Sequence, residues 1–367
     1  MNKKIRIIGV AALALLWLTL SVLGWLTPAK DISDWERRPL AQFPETKLEN
    51  ILSTKFMSDF ESFSLDQFPA RDLFRQLKSL VHFYVLGQKD SNDIYVADGY
   101  AAKQEYPLNE DSITYAAQRF NHVYETYFKD SGSKIYTAVI PDKGYYMGQG
   151  SGHLTMDYDA LFEQYRQQMS WAEHIDLTEN LNLDSYYKTD THWRQEKLLP
   201  AAKVLCQALG VPAPEAEEFT EKEVEKPFYG VYYGQAALPM KPDRLMYLES
   251  QRLRDCAVFN YTTNSYADVY DLTKESSKDL YDVFLSGPQS LMRIENPNGA
   301  TDRELIIFRD SFGSAIAPLL VSEYKTVTLV DIRYITPGSL EKFLELGGQD
   351  VLFLYSALVI NNSSTIK

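Results

Sequence analysis

The chain has 367 residues, 45% hydrophobic and 24% charged, a composition that excludes disorder and fits one large domain or two ordinary ones. A net charge of −13 excludes a nucleic-acid binder, which needs a basic footprint, and a body held to anionic lipid by charge. The 25 tyrosines have two readings, strand and core packing or sugar stacking in a groove.

Residues 7–26 form an apolar run long enough to cross a bilayer as a helix. Lys3, Lys4 and Arg6 precede it, and Asp31, Asp34 and Glu36 follow it. The positive-inside rule therefore predicts a single-pass cell-membrane protein with a cytoplasmic N-terminus and an extracytoplasmic body. The run exceeds the apolar core of a typical cleaved signal, so residues 1–27 are expected to stay as an anchor. Residues 28–90 read as a stalk and helical entry segment. Prolines at 28, 39 and 44 predict extended chain, and helical spacing then links Phe56, Phe60 and Phe63, and after Pro69, Leu73, Leu77, Leu80 and Val81.

Residues 91–367 read as one α/β domain. Residues 92–100 predict a strand ending in the turn signal Asp98-Gly99. A helix over 112–129, capped by Asp111 or Ser112, leads to a buried strand over 134–140, stopped by Pro141. A helix over 158–169, a short strand over 174–177 and a helix over 194–209 ended by Gly210 follow. Residues 211–280 are rich in tyrosine and turn residues and are expected to form an irregular β-rich insertion. Strands over 304–308, 326–331 and 350–355 then alternate with helices over about 313–323 and 338–346. That rhythm predicts a parallel sheet covered by helices, with right-handed crossovers bringing the strand ends to one edge. Ligands of such sheets bind beyond the carboxyl ends of the strands.

Two short segments carry chemistry. Residues 189–193 read Thr-Asp-Thr-His-Trp, and residues 308–313 read Phe-Arg-Asp-Ser-Phe-Gly. A serine on a strand-to-helix turn exposes its hydroxyl beside backbone N–H groups. Ser311 stands at such a place, and His192, oriented by Asp190, can take its proton. Each segment also has a plainer reading, as a surface loop and as a helix cap. The Ser311 N–H is the natural first donor to an oxyanion. Arg333, Tyr355 and Lys143, near strand ends, are candidate oxyanion or substrate-binding groups, and Trp193 is a candidate pocket wall. Pairing of Arg333 with Asp331, burial of Tyr355 and core packing of Trp193 are the alternatives. His82, His122 and His174 read as structural, whereas His153 follows a glycine-rich loop and is a weaker ligand candidate. Cys206 and Cys256 either pair or are two separate buried residues. No metal-site pattern of the CxxC or HExxH kind occurs, and no metal or cofactor is expected.

With these motifs the chain resembles the DHHW protein family, which is related to the SGNH-hydrolase-like domains of periplasmic alginate O-acetyltransferases. Residues 35–44, 56–60, 66–71, 228–233, 283–287 and 330–334 fit the family's pattern in order. The resemblance implies an SGNH-hydrolase-like three-layer α/β/α fold with a mainly parallel sheet, the Asp-x-His segment preceding the serine motif. It assigns Asp190, His192 and Ser311 to the triad, and puts Arg333 and Tyr355 where acetyltransferase relatives keep a functional Arg and Tyr. Thr191 stands where the namesake motif has a second His, although the acetyltransferase relatives read Asp-Thr-His-Trp. Arg309 stands where SGNH enzymes have Gly, and its bulk is expected to narrow the approach to Ser311. The implied activity is O-acyl, specifically O-acetyl, transfer or hydrolysis on a cell-surface or secreted polysaccharide. A membrane-bound O-acyltransferase is the implied acyl donor. A non-catalytic glycan-binding or envelope-assembly protein on the same fold is the alternative.

Overall fold

A computed structural model describes residues 3–367. Contacts gather the chain into two units. One holds the chain up to Asn92 with Tyr233–Pro239; the other holds Asp93–Tyr232 and Met240–Lys367.

In the first unit the apolar run forms α1 (Lys3–Leu26), an exposed helix long and apolar enough to cross a membrane. The stalk is more folded than its prolines predict. Ile32–Ser33 pairs antiparallel with Arg38–Pro39, and the Asp66 carboxylate accepts from Arg38 and from the Ala41 N–H. The Arg38 hydrogen bond holds the Asp66 carboxyl down at about 2. In α2 (Lys55–Asp66), Phe56, Phe60 and Phe63 recur one turn apart and gather around Phe43. Beyond Pro69, α3 (Arg71–Leu80) continues into a wider helical turn over Val81–Val85.

The second unit opens with a hairpin of β1 (Ile94–Ala97) and β2 (Tyr100–Lys103). Its turn residues Asp98 and Gly99 both have positive φ, 51° and 81°, which the Asp-Gly pair tolerates. The next helix, α4 (Glu110–Val123), is capped by Asn109 through the Ser112 N–H, not by Asp111 or Ser112. The Ser112 hydroxyl instead donates to the Ile360 carbonyl. Then come β3 (Lys134–Ile140), α5 (Lys143–Ser151), α6 (Tyr158–Gln168), β4 (Glu173–His174) and α7 (Leu199–Leu209). Pro200 fixes the start of α7 later than the apolar pattern predicts, since proline fits the first helical turn and not its interior. Gly210, at φ 64°, ends it. The segment predicted to be irregular β structure contains a long hairpin of β5 (Thr220–Phe228) and β6 (Asp243–Glu249). It also contributes β7 (Ala257–Asn260) and β8 (Ser265–Ala267) to the main sheet. The remainder is β9 (Leu291–Glu295), β10 (Glu304–Arg309), α8 (Gly313–Val321), β11 (Thr326–Val330), β12 (Asp350–Ser356) and α9 (Ala357–Asn361). Over the predicted helix 338–346 the chain makes only a 3₁₀ turn, Pro337–Lys342.

The main sheet has eight strands in the order β8-β7-β9-β11-β10-β12-β3-β4. The strands from β11 to β4 run parallel, and β9, β7 and β8 add an antiparallel edge. Successive side chains of a strand point to opposite faces, so the apolar run of β10 serves two cores. Leu305 and Ile307 pack with α7 and α8, and Ile306 and Phe308 pack with α4 and α6. The fold is thus mixed α/β around a mostly parallel sheet with helices on both faces. Cys206 and Cys256 are unpaired and buried, and burial pushes both thiols up to about 12.

Candidate active site

The parallel strands β3, β10, β11 and β12 end on one edge, so the residues just beyond them converge. Asp310 and Ser311 follow β10. The Asp310 carboxylate accepts from the Phe312 N–H at 3.0 Å and from the Ser356 N–H, at the end of β12, at 2.8 Å. These bonds fasten the turn and leave Ser311 half-buried at its tip, ahead of the wholly buried α8.

The Asp-x-His segment is held just as firmly. Tyr186 bridges to Trp193, and the Tyr187 N–H donates to the His192 carbonyl, so residues 187–192 form a narrow loop. The Asp243 carboxylate accepts from the Lys188 and Thr189 N–H groups. Asp190 is fully buried and accepts from the Val231 N–H at 2.8 Å and the His192 N–H at 3.0 Å. Gly230 lets the chain pass this closely: a Cβ there would lie 2.3 Å from the Asp190 Cα.

These two supports bring three side chains into line. Asp190 Oδ1 lies 2.6 Å from His192 Nδ1, and His192 Nε2 lies 2.8 Å from Ser311 Oγ, across 119 positions of sequence. With Nδ1 protonated toward the carboxylate, Nε2 is free to accept the serine proton. Burial grades along the chain from the enclosed acid to the accessible hydroxyl. Tyr281 stacks on the imidazole at 3.9 Å and 9°, and Phe312 flanks it at 5.0 Å. Tyr281 escaped the sequence reading, since its 3₁₀ turn lies in a segment without clear periodicity.

The other sequence candidates take structural contacts. The Trp193 side chain is fully buried and donates through Nε1 to the Phe312 carbonyl at 2.9 Å, so it braces the two motifs instead of walling an open pocket. Arg333 makes a bidentate pair with Asp331, at 2.9 and 2.7 Å. Tyr355 is buried on the α4 face, packed on Phe120, with no partner for its hydroxyl among the described residues. Lys143 is buried, and its ammonium donates to the Tyr187 carbonyl at 2.8 Å, beneath the Asp190 loop. Burial lowers it to about 7 against the pull of Asp190, Asp243 and Asp142. None of these four hydrogen-bonds Ser311 or His192 among the described residues. Gln195, which the sequence did not single out, donates to the Ala315 carbonyl in α8 and accepts from the Leu248 N–H. His153 stacks on Tyr95.

Arg309 does not narrow the approach to Ser311. It is fully buried, and its stem runs beneath the turn, where a Cβ on Gly313 would meet it at 2.7 Å. Its Nη1 donates to the Asp310 carbonyl and the Ser314 hydroxyl.

Solved structures share this fold. A DHHW family protein from Eubacterium siraeum matches at TM-score 0.61 and 21% identity, over 76% of this chain and 95% of that one. PatB1 from Bacillus cereus, solved with a sulfonyl adduct, matches at TM-score 0.60 and 16% identity, over 73% and 95%. PatB1 without the adduct matches at TM-score 0.59 and 17% identity, over 73% and 96%. No curated protein matches the sequence significantly. Residues 175–330, which run from just after β4 to the end of β11, match the family model of the DHHW protein, and over that stretch the chain is similar to that family.

Proposed function

We propose that the chain is a membrane-anchored extracytoplasmic serine enzyme that transfers or hydrolyses an O-acyl group, specifically acetyl, on a cell-surface or secreted polysaccharide. The observation that carries this reading is the unbroken chain from Asp190 through His192 to the half-exposed Ser311. In the first half-reaction Ser311 Oγ attacks the acyl carbonyl while His192 Nε2 takes its proton. The tetrahedral oxyanion is met by the Ser311 N–H at the head of α8. His192 then returns the proton to the leaving group, and an acyl-serine remains. In the second, a sugar hydroxyl or water gives its proton to His192 and takes the acyl group, and His192 passes that proton to the departing Ser311 Oγ, restoring both residues. We read the α/β unit as SGNH-hydrolase-like with the acid–base segment before the serine; the resemblance of both motifs to alginate O-acetyltransferases supports the acetyl and polysaccharide assignments. Lys3, Lys4 and Arg6, in the first turns of α1 ahead of its apolar run, support an N-terminus in the cytoplasm. Acetyl-CoA is absent outside the cell, so a membrane-bound O-acyltransferase is the expected donor.

The test is fluorophosphonate labelling of the full chain, paired with the O-acetyl content of the cell's polysaccharides. Labelling that disappears in Ser311→Ala, with a changed acetyl content in cells carrying that variant, is the expected result. Absence of Ser311-dependent labelling together with unchanged acetylation overturns the reading.

A further inference from the structure

The helix that opens at Arg71 is turned inside out. A helix on a folded body normally buries its apolar stripe and shows its charges to water. Here the polar stripe faces inward. Arg71 pairs with Glu36 at 2.5 Å and Asp66 at 3.2 Å, and four residues on, Arg75 donates to the Gly234 and Gln235 carbonyls. Four further on, the buried Ser79 donates to the Ala236 carbonyl at 2.7 Å. The opposite stripe, at the same spacing, holds Leu73, Leu77 and Val81, which are 64%, 54% and 37% exposed, and it extends to Tyr84 and Val85. Nothing among the described residues of this unit covers that stripe. Other large apolar side chains of the unit, Leu48, Ile51, Leu52, Met57 and Leu65, are exposed as well.

What should cover the stripe follows from where the helix begins. The turn before α3 is tied to the end of the apolar helix α1. Gln67 exchanges two hydrogen bonds with the backbone of Lys30, at 2.9 and 2.8 Å, and Pro69 packs against Gly24, in the last turns of α1. If α1 spans a bilayer, Gly24 lies near its outer boundary, and α3 starts at that level. We infer that α3 and its continuation through Val85 lie on the outer surface of the same bilayer, with Leu73, Leu77, Val81 and Tyr84 inserted among the lipids, making the entry unit a membrane-resting platform. Such helices sink their apolar face about 5–10 Å into the boundary between headgroups and acyl chains. The buried stripe of Arg71, Arg75 and Ser79 then makes sense: the faces are inverted because the apolar solvent is outside. Lys78, exposed beside the stripe, stands where its ammonium can reach phosphate oxygens. This inference rests on α1 crossing the membrane and is independent of the chemistry at Ser311.

The test uses the full chain in phosphatidylethanolamine–phosphatidylglycerol nanodiscs, with single cysteines carrying a fluorophore at Leu77, Val81 and Tyr84. Leu15 in α1 and the exposed Tyr266 in the α/β unit serve as references. Lipid-borne doxyl quenchers are expected to quench the three α3 labels several-fold more than the Tyr266 label, and a water-soluble quencher several-fold less. Quenching at Leu15 with none at the α3 positions overturns this inference and leaves the anchor standing. Absence of doxyl quenching at Leu15 overturns the anchor itself. Labels shielded from the aqueous quencher yet unreached by the doxyl lipids mean that a protein covers the stripe, a second copy if shielding grows with protein concentration, and also overturn the inference.

Discussion

The indole N–H of Trp193 donates to the backbone carbonyl of Phe312 at 2.9 Å, joining the residue after His192 to the residue after Ser311. The His192–Ser311 pair is thus tied by its sequence neighbours, and the 2.8 Å between them does not depend on those two side chains alone. Trp193→Phe keeps most of the ring's buried area but leaves the Phe312 carbonyl without this donor. Stability in urea unfolding should fall by about 1–3 kcal/mol, with slower fluorophosphonate labelling of the fraction that stays folded. Labelling at the wild-type rate would show that the brace does not position the pair.

Asp190 accepts the His192 Nδ1–H and is enclosed by backbone donors. Asp190→Asn preserves the shape but favours the imidazole tautomer that presents a proton to Ser311. If the proposed triad operates, turnover is expected to drop by about 10⁴-fold, as in serine triads generally, with a lowered melting temperature, since the amide nitrogen cannot accept from a backbone N–H that a carboxylate oxygen now satisfies.

Tyr281 lies flat on the imidazole, and its buried hydroxyl has no partner among the described residues. Tyr281→Phe keeps the stack and removes an unsatisfied polar group, so it should be neutral or slightly stabilising. Tyr281→Ala frees the ring and should lower kcat more than it raises KM. Equal loss in both variants would assign the effect to the hydroxyl.

At Gly230 any side chain collides with backbone: the Cβ of an alanine would sit 2.3 Å from the Asp190 Cα. Gly230→Ala must push the Asp190 loop away or unfold the hairpin behind it. Loss of Ser311 labelling is expected, with a lowered melting temperature.

Lys143 is lowered from 10.5 to about 7, chiefly by burial. Between those values the unfolded chain holds a proton that the folded chain has released, so this residue makes stability rise with pH from about 7 to 10.5. Asp142, raised by burial from 3.8 to about 6, acts oppositely, and stability falls as pH climbs through that range. Lys143→Met should flatten the alkaline rise in urea titrations at stepped pH and leave the acidic limb. An unchanged alkaline slope would show that the ammonium does not titrate on folding.

Much of the α/β unit was legible because its strands are short apolar runs between turn signals. Residues 134–140 read as the strand they form, and the alternation from 304 to 355 gave three of the parallel strands. What escaped had weak local signals. β9 follows the turn residues Ser286-Gly287-Pro288 but is only five residues long, two of them charged, and β7 and β8 were hidden in a tyrosine-rich stretch that joins the sheet only where β7 pairs with β9. The 3₁₀ turn at Pro337–Lys342 replaced a predicted helix, and Asn109 took the cap from two nearby competitors. Among the candidate site residues, Ser311 and His192 could be singled out from their places in the pattern. The pairing of Arg333 with Asp331, two residues away, was legible as the alternative reading. The engagements of Lys143 and Trp193 were not, since each donates to a backbone carbonyl that only folding brings near.

By itself the sequence determined a long apolar N-terminal helix, the α/β rhythm of its last third and the likeness of two short motifs to one family. These are local properties, set by hydrophobic period, turn chemistry and residue type. Tertiary structure alone decided that Tyr281 covers the imidazole, that Arg309 passes beneath the serine turn and that α3 points its leucines outward. Those outcomes depend on which elements meet, and in a buried site each polar group takes whatever partner the packing leaves within reach.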